Sequence, residues 1–201
     1  MVVGDDFQFG RDRAGTVESL RTWGSELSFD VEAVVLEGDG EKYSSTRTRA
    51  LLMAGDVRAA REVLGRPFGY SDVEVIHGDA RGGAELGYPT ANIDPSSRLI
   101  RPALGIYAGF ADLADGSRKA AAISVGKRPQ FYENGELLIE AFLIDFSGDL
   151  YGQRLSLWFL DFLRGEMKFD SVDALVGQMA LDVTASAERF ASYHGEGPTA
   201  K

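Results

Sequence analysis

Two runs of strand composition lie in the stretch GIYAGFADLADGSRKAAAISV, residues 105–125. They occupy residues 105–113 and 119–125, and the Asp and Gly residues between them are typical of a turn. Similar runs, divided by Gly, Pro, Asn and Asp, recur at residues 73–77, 137–146 and 154–163. Short strands at this spacing are typical of an antiparallel barrel or sandwich. We expect a small closed antiparallel β-barrel with Greek-key-like connections.

Helical periodicity follows the last of these runs. Behind the cap candidates Asp170 and Ser171, apolar residues recur at helical spacing at Val172, Leu175, Val176, Met179, Val183, Ala187 and Phe190. We expect one amphipathic C-terminal helix that packs on the barrel.

The first third of the chain has an α/β rhythm instead. Strand-like residues at Val2 and Val3 precede a helical stretch at 16–23, a strand pattern at 29–36 and two capped helical stretches that end near residue 64. The sequence Gly65-Arg66-Pro67 then ends this segment, so the best domain boundary falls between residues 65 and 71. We predict an α+β chain, with a Rossmann-like α/β segment over residues 1–68 and the barrel with its helix over 69–201.

Composition excludes several classes of function. The chain has 201 residues, a net charge of −10, no cysteine and two histidines. The negative net charge opposes binding to nucleic acid and to anionic membranes. The absence of cysteine excludes disulfides and cysteine zinc sites, and two histidines are too few for a multi-His metal site. The sequence also lacks a Walker loop with its lysine, a GxGxxG after a strand, a GxSxG elbow and an HExxH pair. We expect a soluble, cytoplasmic protein with no nucleic-acid or membrane partner.

A glycine-rich loop carries the first functional signal. Residues 77–92 read HGDARGGAELGYPTAN, in which glycines allow close approach to a ligand and Arg81 adds positive charge. An anion cradle is one interpretation, and a surface turn that enters a strand is the other. The glycines concerned are Gly78, Gly82, Gly83 and Gly87.

Two neutral oxygen ligands follow the loop. Thr90 and Asn92 are two residues apart, so both side chains lie on one face of a strand. Mg²⁺ takes few protein oxygens when substrate phosphates supply the others, so this pair suits a metal that arrives with ATP.

Glu140 is the only charged residue in the apolar strand pattern LLIEAFLI, residues 137–144. A lone carboxylate there costs free energy unless it is paired or reaches water in a cleft. It is therefore either a general base in a cleft or a residue at the barrel rim. Residues 163–169, with Arg164, are either a flap beside an aromatic-lined pocket or a turn with an aromatic anchor.

The motifs together resemble the bacterial bifunctional riboflavin kinase/FMN adenylyltransferase (FAD synthetase) family. The resemblance rests on HGDARG, LGYPTANI, GIYAG, SVGKRPQF, IEAFLIDF, GDLYG and LRGEMKFDS, in this order between residues 77 and 171. It implies a complete riboflavin kinase module that transfers phosphate from ATP to riboflavin to give FMN. By this resemblance Thr90 and Asn92 hold Mg²⁺ with ATP, Glu140 activates the 5′-hydroxyl of riboflavin, and the cofactor-binding positions also include Gly78, Arg81, Gly82, Gly87 and Arg164.

Residues 1–68 resemble only the second half of the adenylyltransferase module, through VVGDDFQFGRDRAG, YSSTRTR and GDVRAAREVLGRPF. The family's opening strand and its GxFDGxHxGH-like segment have no counterpart in these 201 residues. We therefore expect no synthesis of FAD by this chain. The alternatives are a flavin-binding module without catalysis and a bifunctional enzyme whose missing half is supplied by another chain. A truncated sheet also predicts an exposed apolar face around Val2, Val3 and residues 31–36, and hence self-association.

Overall fold

The structure is a computed structural model that describes residues 1–38, 40–76, 90–94, 99–127 and 137–193. The chain forms two compact units, Met1–Ser44 and Ser45–Lys201. The helices that directly follow Ser44 thus belong to the same unit as the barrel. The predicted module boundary at residues 68 and 69 stays a prediction. Within the described ranges, no helix is long and apolar enough to cross a membrane.

The first unit is a small β-α-β arrangement. Strand β1 (Val2–Gly4) pairs in parallel with β2 (Glu32–Val34), and helix α1 (Val17–Leu27) lies between them in the sequence. A short 3₁₀ turn spans Arg11–Arg13. Thr16 caps α1 in a capping box, in which its hydroxyl accepts from the Ser19 N–H and the Ser19 hydroxyl accepts from the Thr16 N–H. The α/β rhythm predicted for this part of the chain is thus present.

Apolar side chains on this unit face solvent. Val2 is 66% exposed and Val35 is 75% exposed, and Val34 and Leu36 beside them are also exposed. Two parallel strands cannot bury their apolar side chains by themselves, because a parallel sheet is normally covered on both faces. The expected apolar exposure is present at Val2 and at residues 34–36, whereas Val3 and Val31 are half-buried. Self-association through the exposed residues stays a prediction.

Two helices begin the second unit. Helix α2 (Ser45–Met53) is followed at Gly55, which has a φ of +85°, by α3 (Val57–Leu64). The Asp56 carboxylate caps α3 by accepting from the Ala59 N–H at 3.0 Å. Their buried residues Leu52, Val57 and Ala60 belong to the same core cluster as the interior of the barrel.

Six antiparallel strands close into the barrel in the spatial order β3-β4-β7-β6-β5-β8. The closed antiparallel barrel predicted from the sequence is confirmed. Closure leaves no strand edge unpaired around the barrel, which stabilises a small sheet. The strands are β3 (Phe68–Ile76), β4 (Ala91–Ile93), β5 (Gly105–Leu113), β6 (Arg118–Lys127), β7 (Leu137–Leu143) and β8 (Arg154–Arg164).

Alternate residues of each strand fill the barrel interior. Ile123 on β6 and Ile139 on β7 are completely buried there. Three aromatic rings extend this core: Phe159 meets Tyr107 at 5.4 Å and Tyr70 at 6.1 Å between ring centroids, edge to face in both cases. Each tyrosine hydroxyl donates to a backbone carbonyl, so these polar tips are buried without loss of hydrogen bonding.

The last helix, α4 (Val172–Ala191), packs on the outside of the barrel. The Ser171 hydroxyl caps it by accepting from the Ala174 N–H at 3.1 Å. Near its end, Phe190 and the following Tyr193 stack on Phe110 of β5, with centroids 5.8 and 5.6 Å apart. The predicted C-terminal helix is therefore present, and it covers the outward side chains of the barrel strands.

The buried tyrosines predict how stability depends on alkaline pH. Burial raises the pKa of Tyr107 to about 12, and it also raises the pKa of Tyr70 above its ordinary value of about 10. Folding therefore favours the neutral phenols. Their contribution to stability is complete below pH ~10 and is lost as the pH rises through the folded-state pKa.

We expect Tyr107→Phe to lower the free energy of unfolding at pH 7 by about 1 kcal/mol, because it removes the hydrogen bond to the Ala103 carbonyl. The same variant should lose less stability than the parent between pH 10 and 12. Urea unfolding over this pH range measures both effects, with the exposed Tyr151→Phe as the control. An identical pH dependence for the parent and Tyr107→Phe would contradict the assignment.

Candidate functional site

Five residues form one row across the outer face of the barrel. Strand register pairs Asn92 with Glu140, Glu140 with Ser124, Ser124 with Ile106, and Ile106 with Arg164. The row thus crosses β4, β7, β6, β5 and β8 in their spatial order. The next residues along β6 and β7 point inward, so this row faces away from the core.

Two of the three residues that the sequence analysis expects to converge are neighbours across two strands. Asn92 and Glu140 come from strands far apart in the chain, yet they are direct neighbours on adjacent strands, which lie about 4.8 Å apart in a sheet. Thr90 lies two residues before Asn92 and lines the same cavity as Glu140. Strand β4 begins at Ala91, so Thr90 precedes it, and the expected pair on one face of a strand is not formed. Asn92 is not among the described residues that line the cavity.

The cavity lies between the barrel, α4 and the segment 165–169, which directly follows β8. Its volume is about 680 Å³, within the range of small-molecule sites. Its walls are mostly apolar. The lining also contains both negatively and positively charged side chains. The apolar lining includes Ile106, Phe142, Leu175, Met179 and Val183, and the polar lining includes Thr90, Ser124, Glu140, Glu166 and Lys168.

Asn92 has the character of a ligand for a cation. The side chain is 3% exposed, and its Nδ2 donates to the Thr90 carbonyl at 3.4 Å. Its Oδ1 is buried and has no hydrogen-bond partner in the described part of the chain. Buried amide oxygens are normally satisfied, so this atom is suited to a group that supplies positive charge. Among the described residues, no group of three or more His, Cys, Asp or Glu side chains is placed so that it could hold a metal ion.

Glu140 faces the cavity from the middle of an otherwise apolar strand. It is partly buried and stands between Asn92 and Ser124 in the row. A carboxylate in this position can accept a proton from a hydroxyl group bound in the cavity. Glu140 lines the cavity, and its role as a general base stays a prediction.

Arg164 lies at the opposite end of the row, where β8 ends. Its guanidinium binds the Asp182 carboxylate of α4, with Nη2 2.6 Å from Oδ2 and Nε 3.0 Å from Oδ1. It also lines the cavity, and this pair uses its Nε and Nη2 donors. Its direct contact with a cofactor stays a prediction.

The remaining predicted positions, Gly78, Arg81, Gly82 and Gly87, lie outside the described residues. The anion cradle expected from residues 78–87 therefore stays a prediction.

Sequence reasoning missed two cavity residues. Asp182 is a carboxylate on the apolar stripe of α4, one turn from Met179, so the signal that identified Glu140 could also have identified it. Ser124 is the one hydroxyl among the apolar residues 120–125, and only strand register shows that it lies beside Glu140.

Comparison with known proteins identifies the family. The riboflavin kinase family (Flavokinase) matches residues 64–190. The bifunctional riboflavin kinase/FMN adenylyltransferase of Pseudomonas fluorescens is 40% identical over 185 residues, which cover 92% of this chain and 58% of that protein. The protein of the same name from Haemophilus influenzae is 36% identical over 194 residues, or 94% of this chain and 61% of that protein.

A solved structure is also similar. A protein from Streptococcus pneumoniae, described as a macrolide-efflux protein, superposes with a TM-score of 0.78 at 36% sequence identity. The match covers 92% of this chain and 58% of that one. The chain thus spans about three fifths of the length of the curated relatives it matches. Because the family match extends over more than half of the chain and includes every barrel strand and nearly all of α4, the chain belongs to the riboflavin kinase family.

Proposed function

We propose that this chain transfers the γ-phosphate of ATP to the 5′-hydroxyl of riboflavin, with FMN and ADP as products. The observation that carries the proposal is the position of Glu140, directly opposite Asn92 and in the wall of a cavity of about 680 Å³. The apolar walls suit a flat flavin ring, and the polar end of the row suits a phosphoryl donor. Riboflavin kinases use ATP and generally a divalent metal.

Each residue at the polar end has a distinct task in this proposal. Glu140 orients the ribityl hydroxyl and takes its proton as the hydroxyl oxygen bonds to the γ-phosphorus and the bond from that phosphorus to ADP breaks. The Thr90 hydroxyl and the Asn92 amide oxygen would hold Mg²⁺ together with ATP. When bound, Mg²⁺ supplies positive charge that offsets the charge on the transferring phosphoryl group. The predicted loop of residues 78–87, with Gly78, Arg81, Gly82 and Gly87, would surround the phosphates.

Glu140→Gln tests the general base. We expect this variant to lower turnover by a factor of about 10² to 10⁴, because the amide cannot accept the proton. Riboflavin affinity, measured by quenching of flavin fluorescence, should be unchanged. The control is Glu74→Gln, an exposed glutamate on β3. Retained turnover in Glu140→Gln would remove this residue from its role.

Thr90→Ala and Asn92→Ala test the metal site. Each should raise the Mg²⁺ concentration that gives half-maximal activity and the KM for ATP by about tenfold, the effect of one lost charge-assisted contact. Thr184→Ala, an exposed threonine on α4, is the matched control. An unchanged metal dependence in both variants contradicts the proposed ligands.

Two alternative functions have direct tests. Incubation with riboflavin, Mg²⁺ and ATP, followed by chromatography, separates a kinase from a flavin-binding module, since only the kinase releases FMN. The names of the relatives also include FMN adenylyltransferase, and the same incubation with FMN measures FAD. We expect no FAD from these 201 residues, because His77 and His194 are their only histidines and neither belongs to a GxFDGxHxGH-like segment.

The expected location and partners complete the proposal. ATP is supplied inside cells, which supports the cytoplasmic location expected from the sequence. The proposed partners are riboflavin or FMN and ATP or ADP. Self-association through the exposed apolar residues of the first unit is a further proposal, and sedimentation of the purified chain at several concentrations tests it.

A further inference from the structure

We propose that Arg164 and Asp182 form a clasp that holds the segment 165–169 and α4 against the barrel, and thereby shapes the flavin end of the cavity. In this proposal Arg164 is a positioning residue and does not bind phosphate. The inference deepens the proposed riboflavin kinase function and rests on it for the identity of the ligand.

The geometry of the pair is that of a structural contact. Arg164 uses Nε and Nη2 in a fork on both oxygens of Asp182, the arrangement that fixes two planar groups most firmly. Their side chains are only 17% and 9% exposed, so solvent screens the pair weakly. The loss of either partner would leave a charge largely buried without its counter-ion.

Both partners have further contacts that extend the clasp. Arg164 Nη1 donates to the Gly165 carbonyl at 3.0 Å, and its guanidinium lies 5.9 Å from the centroid of the Phe169 ring. On the helix, Gln178 Nε2 donates to Asp182 Oδ1 at 2.9 Å. The clasp therefore joins the end of β8, both ends of the segment 165–169 and two successive turns of α4.

Among the described residues, the segment between these contacts makes no further hydrogen bond or ion pair. Residues 165–168 are exposed and have no regular secondary structure, yet Glu166, Met167 and Lys168 line the cavity. A wall of this kind depends on its fixed ends for its position. Because Arg164 contacts both ends, the state of the clasp determines where this wall lies.

The clasp is well separated from the proposed chemistry. In the row, Arg164 lies three strand spacings from Glu140, or about 14 Å at about 4.8 Å for each spacing. Breaking the clasp should therefore weaken flavin binding and leave the chemical step intact. A residue that contacts the transferring phosphate would have the opposite signature, a fall in kcat.

Hydrogen–deuterium exchange tests the clasp without reference to activity. In Asp182→Asn and in Arg164→Lys, the hydrogen-bonded amides of residues 176–182 in α4 should exchange about tenfold faster than in the parent, because the clasp no longer holds this part of the helix against the barrel. Asp182→Glu keeps the charge and should recover part of this protection. The matched control is Arg154→Lys at the other end of β8, whose partner Asp72 is exposed. Unchanged exchange of residues 176–182 in Asp182→Asn overturns the proposal.

Kinetics on the same variants tests its consequence. We expect Asp182→Asn and Arg164→Lys each to raise the riboflavin KM about tenfold, with kcat and the KM for ATP changed less than about twofold. The riboflavin KM of the double variant should be no higher than that of the more strongly affected single variant, because both substitutions break the same contact. A fall in kcat or a higher KM for ATP in Arg164→Lys alone would make Arg164 a phosphate ligand and overturn the proposal. If the parent forms no FMN, the proposed function fails, and the exchange measurement still decides the clasp.

Discussion

The register between β4, β7 and β6 is the constraint on which the site depends. Side chains alternate between the two faces of a strand, so a slip of one residue would turn Glu140 into the core and Ile139 out of it. The buried isoleucines make this slip costly, because they would exchange a packed interior for solvent. The hydrophobic core thus determines where the carboxylate points, although the carboxylate itself contributes no apolar burial.

Local patterns in the sequence were sufficient for the elements and for part of the site. Alternation and turn residues predicted β5 with its observed bounds, and the apolar stripe behind Ser171 predicted α4. Glu140 was recognised because a lone charge in an apolar strand is expensive, and Thr90 and Asn92 because of their spacing. These are properties of single segments, which is why one sequence could indicate them.

Properties that depend on pairing between distant segments were not accessible in this way. Nothing local to β7 shows that β4 and β6 are its neighbours, so the position of Ser124 beside Glu140 required the structure. The partner of Arg164 was also missed, since Asp182 lies 18 residues away on another element. The compact unit that begins at Ser45 arises from burial of Leu52 and Val57 in the barrel core, which helix periodicity alone does not reveal.

The cavity lies on the outside of the barrel, and this has an evolutionary consequence. Inward residues such as Ile123 form the buried core of the barrel, whereas outward neighbours such as Ser124 line the cavity. Substitutions that alter ligand preference can therefore accumulate at every second position of a strand while the positions between them preserve the scaffold. Outward and inward residues alternate along the same short strands. The outward residues can therefore change with little effect on the stability that the inward residues provide.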